Sequence, residues 1–74
     1  MKKARNTVLL NAIAFRIKEI RESQNITQEV FYNDTGINVG RIEKAKRDIS
    51  VTTLSKICEY LGITLPLFFK NLDY

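Results

Sequence analysis

The stretch Thr27-Gln28-Glu29-Val30-Phe31-Tyr32-Asn33-Asp34-Thr35-Gly36-Ile37-Asn38-Val39-Gly40-Arg41-Ile42-Glu43 decides how this chain folds. It opens on Thr27, whose hydroxyl can accept from the free amides one turn further on and so start a helix. Val30 and Phe31 follow as core candidates, and a short helix is expected over 27–34. Asp34 and Thr35 can each cap the next helix. Taking Thr35 as the cap sets that helix over 35–46, with Val39 and Ile42 inward. Reading Gly36 as the turn glycine and Asn38 as the cap leaves a very short helix before Glu43.

Upstream, Leu10, Ile13, Ile17 and Ile20 recur at spacings of three and four, which keeps them on one helical face. The charges of Arg16, Lys18, Glu19 and Glu22 fall mostly off that stripe, and a helix over 7–24 is expected, closed near Asn25, a residue that tolerates a left-handed cap. Downstream, Asp48 breaks the pattern and Ser50 caps a helix over 50–61 with Leu54, Ile57, Cys58 and Leu61 as its buried stripe. Ile49 and Leu54 are placed as a hydrophobic staple around that cap. Gly62 ends this helix, Thr64 caps a last one over 64–72 with Pro66 in its first turn, and Ile63 can staple to Phe68. The β-branched run Val51-Thr52-Thr53 lies between a good cap and a helical stripe, so no strand is expected. The fold class is therefore all-α: a compact bundle of five short helices in a single domain over 1–74, with a basic arm at 1–6.

The chain has 74 residues, so burial is marginal and a helical bundle or a dimer is the expected route to stability. An apolar content of 45% argues for folding rather than disorder. Twelve Lys and Arg against eight Asp and Glu give a net charge of +4, which favours nucleic acid or an anionic surface. Arg41, Lys44, Lys46 and Arg47 cluster with only Glu43 opposing them, and Lys2, Lys3 and Arg5 form a second cluster. No apolar run approaches the ~20 residues of a membrane helix, and Val8-Leu9-Leu10 is too short for a secretory core ahead of Ala12-Ile13-Ala14. The single cysteine, Cys58, forms no intramolecular disulfide and fits a reducing compartment, so a cytoplasmic, nucleoid-associated location is expected. Histidine is absent, as are a zinc-type cysteine pair and a glycine-rich phosphate loop. No enzyme, metal or cofactor is therefore expected, and Cys58 reads as a small buried hydrophobe.

Several motifs in order resemble one known family. Ile20-Arg21, Thr27-Gln28-Glu29, Arg41-Ile42-Glu43, Ser50-Val51-Thr52-Thr53-Leu54 and Leu61-Gly62-Ile63 are similar to the lambda repressor/Cro-like, or XRE, helix-turn-helix domains. The resemblance covers about Phe15 to Phe69. It implies that the third helix enters the major groove of double-stranded DNA while the second crosses the backbone. With Thr35 as cap, Gly36, Ile37, Asn38 and Arg41 occupy the base-reading positions: Asn38 suits adenine, Arg41 suits guanine, and Ile37 suits a thymine methyl. Gln28, Thr35, Lys44, Lys46 and Arg47 match phosphate-contacting positions. Arg21 and Glu43 match the family's structural ion pair, which accounts for a carboxylate inside a basic cluster. The chain departs from the pattern in three places. Gln28 and Glu43 are closer together than usual by about three residues, so the second helix or the turn is expected to be abbreviated. Tyr32 replaces a small residue, and Ala45 replaces a glycine, so the third helix is expected to run on past Glu43.

Val8, Leu9, Ala12 and Phe15 lie off the main stripe of the first helix, and Phe68, Phe69, Leu72 and Tyr74 make a greasy carboxyl end. They either pack on each other or form a homodimer seam, and the family favours dimers. The function expected is a sequence-specific transcriptional regulator, a repressor, with no small-molecule ligand evident. The competing reading is a protein-interaction module, an antitoxin or adaptor, which has no need of the basic run after the third helix.

Overall fold

The computed structural model describes residues 6–72 and Tyr74. The expected arm with Lys2, Lys3 and Arg5 lies outside the described residues. Five helices follow one another: α1 (Thr7–Ser23), α2 (Gln28–Thr35), α3 (Val39–Glu43), α4 (Val51–Leu61) and α5 (Leu65–Lys70). No strand occurs among the described residues. Each helix opens on a side-chain oxygen that accepts from the backbone N–H three residues on: Asn6 from Leu9, Thr27 from Val30, Asn38 from Arg41, Ser50 from Thr53 and Thr64 from Leu67, at 3.0–3.3 Å. These bonds satisfy amides that have no partner inside their own helix.

The core is one cluster with Ile17, Phe31, Ile57 and Phe68 wholly buried at its centre, and Ile13, Ile20, Val39, Leu54, Cys58 and Leu61 around them. Ile49 and Ile63 pack against it, in the places the two staples require. α1 packs on α3 and α4, α2 on α3, and α5 on α4. Two polar contacts brace the frame from outside. The Gln24 amide donates to the Leu61 carbonyl at 2.7 Å, tying the end of α1 to the end of α4. The Tyr60 hydroxyl donates to Asp34 at 2.5 Å while its ring meets Phe31 edge-on, tying α4 to α2.

The corner between α2 and α3 differs from expectation. Thr35 is not the cap of α3 but the last residue of α2. Its hydroxyl donates to the Phe31 carbonyl at 2.7 Å and accepts from the Ile37 amide at 3.0 Å. Gly36 ends α2 in the left-handed region, φ 75°, with its N–H on the Tyr32 carbonyl. That conformation is accessible to glycine at little cost, so the break falls there rather than earlier. Asn38 then caps an α3 of five residues in place of the twelve of 35–46. Between Gln28 and Glu43, α2 takes eight residues and α3 five, the fewest of the five helices.

Only Phe31 of α2 is buried; Val30, expected inward, is 44% exposed. Tyr32 is 54% exposed, so its bulk points away from the core instead of forcing α2 and α3 apart. Nor does α3 run on past Glu43. Ala45 turns left-handed, φ 55°, and its N–H caps the Ile42 carbonyl. An alanine pays a steric cost of ~1–2 kcal/mol in that region. Ala45→Gly relieves the clash and gives back part of it as unfolded-chain entropy, so chemical denaturation should show a net stabilisation of ~0.5–1 kcal/mol. A variant less stable than the parent would show that the left-handed turn is not adopted.

Candidate nucleic-acid interface

Arg21 is the one charged residue buried as a whole among the described residues. It projects from the last turn of α1 into the junction of α2 and α3. Its Nε donates to Glu43 Oε2 at 2.8 Å and its Nη2 to Glu43 Oε1 at 3.0 Å, a two-point fork on the carboxylate. Nη1 donates to the Ile26 carbonyl at 2.7 Å, in the loop between α1 and α2. Both side chains are nearly closed off from solvent, at 7% and 6% exposure. The Glu43 hydrogen bond raises the Arg21 pKa and outweighs the opposing effect of burial, so the guanidinium stays charged throughout the range in which the protein is folded. The expected ion pair is thus present, and Glu43 is spent inside the protein rather than facing the basic residues beside it.

Gln28 extends the chain of bonds to the surface. Its Nε2 donates to the same Glu43 Oε1 at 3.1 Å. The side chain therefore lies across α3, and Gly40 makes room for it. A β-carbon at Gly40 would stand 2.9 Å from Gln28 Oε1 and 3.3 Å from its Cδ. Sequence reading did not single out Gly40, though a glycine inside a helix was the available signal: it costs helix stability and so marks a close approach.

The outer face of α3 carries Asn38, Arg41 and Lys44 at spacings of three, which places them on one side of the helix. All three are exposed. Asn38 Oδ1 is occupied in capping Arg41, which leaves its amide N–H groups as the outward donors. Gly36 is exposed and brings backbone to the surface beside them. Ile37 is half-buried and packs against the core, so it is not the outward residue expected. Thr35, expected on phosphate, has its hydroxyl engaged twice within the α2–α3 turn. Lys46 and Arg47 are exposed on the following loop, with Asp48 as their acidic neighbour. No ion pair among the described residues engages Arg41, Lys44 or Arg47. The result is a patch of cations and amide donors, built from the start of α2, the outer side of α3 and the loop after it. A surface of that kind complements a polyanion.

Cys58 is buried and its thiol pKa is raised by burial, which disfavours the reactive thiolate. Among the described residues no cluster of His, Cys, Asp or Glu is placed to hold a metal ion, and no helix is long and apolar enough to cross a membrane.

Removing either partner of the ion pair strands the other in a nearly closed site. Arg21→Ala and Glu43→Ala should each lose ~3 kcal/mol in denaturation, and the double variant should lose clearly less than the two together. Full additivity would mean that the two side chains do not interact. Gly40→Ala should leave stability within ~1 kcal/mol of the parent, because better helix propensity offsets the lost Gln28 bond. The Gln28 side-chain amide signals should nevertheless move in an NMR spectrum; unchanged signals would show that Gln28 does not lie across α3.

The family model described as Helix-turn-helix matches residues 17–68, more than half of the chain. No curated protein and no solved structure matches it. The matched segment holds the Arg21–Glu43 pair, the Gly36 turn and all of α2, α3 and α4. The chain belongs to the lambda repressor/XRE-like helix-turn-helix family.

Proposed function

We propose that this chain is a sequence-specific DNA-binding transcriptional regulator, a repressor, that works in the cytoplasm on the nucleoid. The observation that carries the reading is the exposed pair of Asn38, which caps α3, and Arg41 within it, followed by the exposed Lys44, Lys46 and Arg47, beside the start of α2. In this reading α3 enters the major groove end-on. Arg41 reads a base, guanine suiting its fork best. Asn38 donates to a base acceptor, and Gly36 lets the backbone approach closely. Gln28, held in place by Glu43, donates to phosphate together with Lys44, Lys46 and Arg47. Thr35 and Ile37 contribute the shape of the turn rather than contacts to DNA.

The chain acts as a homodimer in this proposal. Of the apolar residues at its two ends, Leu9 and Leu72 pack on the core, Phe68 is wholly buried, and the Asn6 amide donates to the Tyr74 hydroxyl at 2.7 Å. Val8, Phe15, Phe69 and Tyr74 remain largely exposed and supply the seam. The same exposed side chains favour the second reading, a protein-interaction module whose partner is another protein.

Selection of bound sites from random DNA, followed by gel shifts at two salt concentrations, tests both. The expected site is a pair of inverted half-sites one helical turn apart, bound more weakly as salt rises. Arg41→Ala should cost ~1–3 kcal/mol and relax preference at one base pair, whereas Lys46→Ala should weaken all sequences alike and reduce the salt slope by ~1. No site enrichment and no salt-dependent affinity would leave the protein-interaction reading in its place.

A further inference from the structure

The first half of α1 lies ahead of the family-matched segment and builds something of its own. Leu10, Ile13 and Ala14 form one wall of an open groove of about 590 Å³, with Ile42 and Ile49 opposite. A smaller, mainly apolar hollow of about 300 Å³ adjoins it, sharing Leu10, Ile13 and Ile49 and reaching Leu9, Leu54 and Phe69. Arg41, Lys44, Lys46 and Arg47 line the other end of the larger groove. A volume of this size is on the scale of small-molecule sites, roughly 300–1,000 Å³.

We propose that this groove binds an amphiphilic carboxylate, an acyl chain ending in a carboxylate, and that occupancy competes with DNA. The apolar part of the larger groove, from Leu10, Ile13, Ala14, Ile42, Ala45 and Ile49, is aliphatic, without an aromatic ring to stack on, which suits a saturated chain. The cations stand at one end only, which suits a single anionic head on an apolar tail. Asp48 also lines the groove and is exposed; it keeps the carboxylate on the side of Arg41, Lys44 and Arg47. The competition rests on the DNA-binding reading, since the same cations are there assigned to DNA; binding of the carboxylate does not.

The test uses the full chain and decanoate below its micelle concentration. Decanoate should shift the NMR methyl signals of Leu10, Ile13, Ala14, Ile42 and Ile49. Acetate, with the head alone, and decylamine, with the tail and the opposite charge, should bind ~tenfold or more weakly, the size expected for one charge-assisted contact. Arg47→Glu, at an exposed position, should weaken decanoate by a similar factor while leaving the spectrum of the core unchanged. In gel shifts decanoate should lower DNA affinity several-fold. Decylamine binding as well as decanoate, or no methyl shifts with decanoate, overturns the site. Methyl shifts without loss of DNA affinity overturn the competition. Methyl shifts in a chain that binds no DNA uphold the site and remove the DNA-binding reading instead.

Discussion

The Arg21 guanidinium and the Glu43 carboxylate meet face to face where α1, α2 and α3 converge, and the geometry of the α2–α3 corner hangs from that contact. α3 has five residues, far fewer than a helix needs to persist alone in water. It exists because both its ends are held. Asn38 caps its start, Val39 anchors it in the core, and Glu43 fastens its last turn to the end of α1. The third arm of Arg21 reaches the Ile26 carbonyl, so the same side chain also fixes where α2 begins. One buried ion pair thus sets the position of two helix ends. Burying it carries a desolvation cost that the fork geometry and the extra bonds from Ile26 and Gln28 offset.

The same contact shapes the charge of the surface. With Glu43 paired inward, it does not oppose the exposed Arg41, Lys44 and Arg47, and Asp48 is the acidic residue next to them in the chain. The Gln28 amide, held on Glu43 across the space left by Gly40, presents polar atoms at the edge of this field. Structural and electrostatic demands are met by one carboxylate: it locks the corner and removes itself from the face.

The first half of α1 lies ahead of the segment that matches the family. It adds Leu10, Ile13 and Ala14 to the wall beside the α3–α4 loop, and leaves Val8 and Phe15 on the outside. Both features extend the apolar surface beyond what the core needs. The inner face flanks a groove, and the outer face carries two large side chains that are 66–67% exposed.

Much of this was legible in the amino-acid sequence because it depends on local chemistry. Caps at Thr27, Ser50 and Thr64, the stripe Leu10–Ile13–Ile17–Ile20, the stop at Gly62 and the staples around Ser50 and Thr64 act over a turn or two of chain, and the residues involved carry the information themselves. The Arg21–Glu43 partnership was legible only through family resemblance, since its partners are 22 positions apart. What tertiary structure alone decided was the register of the corner. Thr35, Gly36 and Asn38 can each begin or end a helix, and local preference does not rank them. Burying Phe31 and Val39 on the same core while Glu43 reaches Arg21 leaves one solution, with Thr35 inside α2, Ile37 packed inward and Asn38 as the cap. The left-handed turn at Ala45 has the same origin: alanine does not favour it, and the closing of the chain toward Ile49 and Ser50 imposes it.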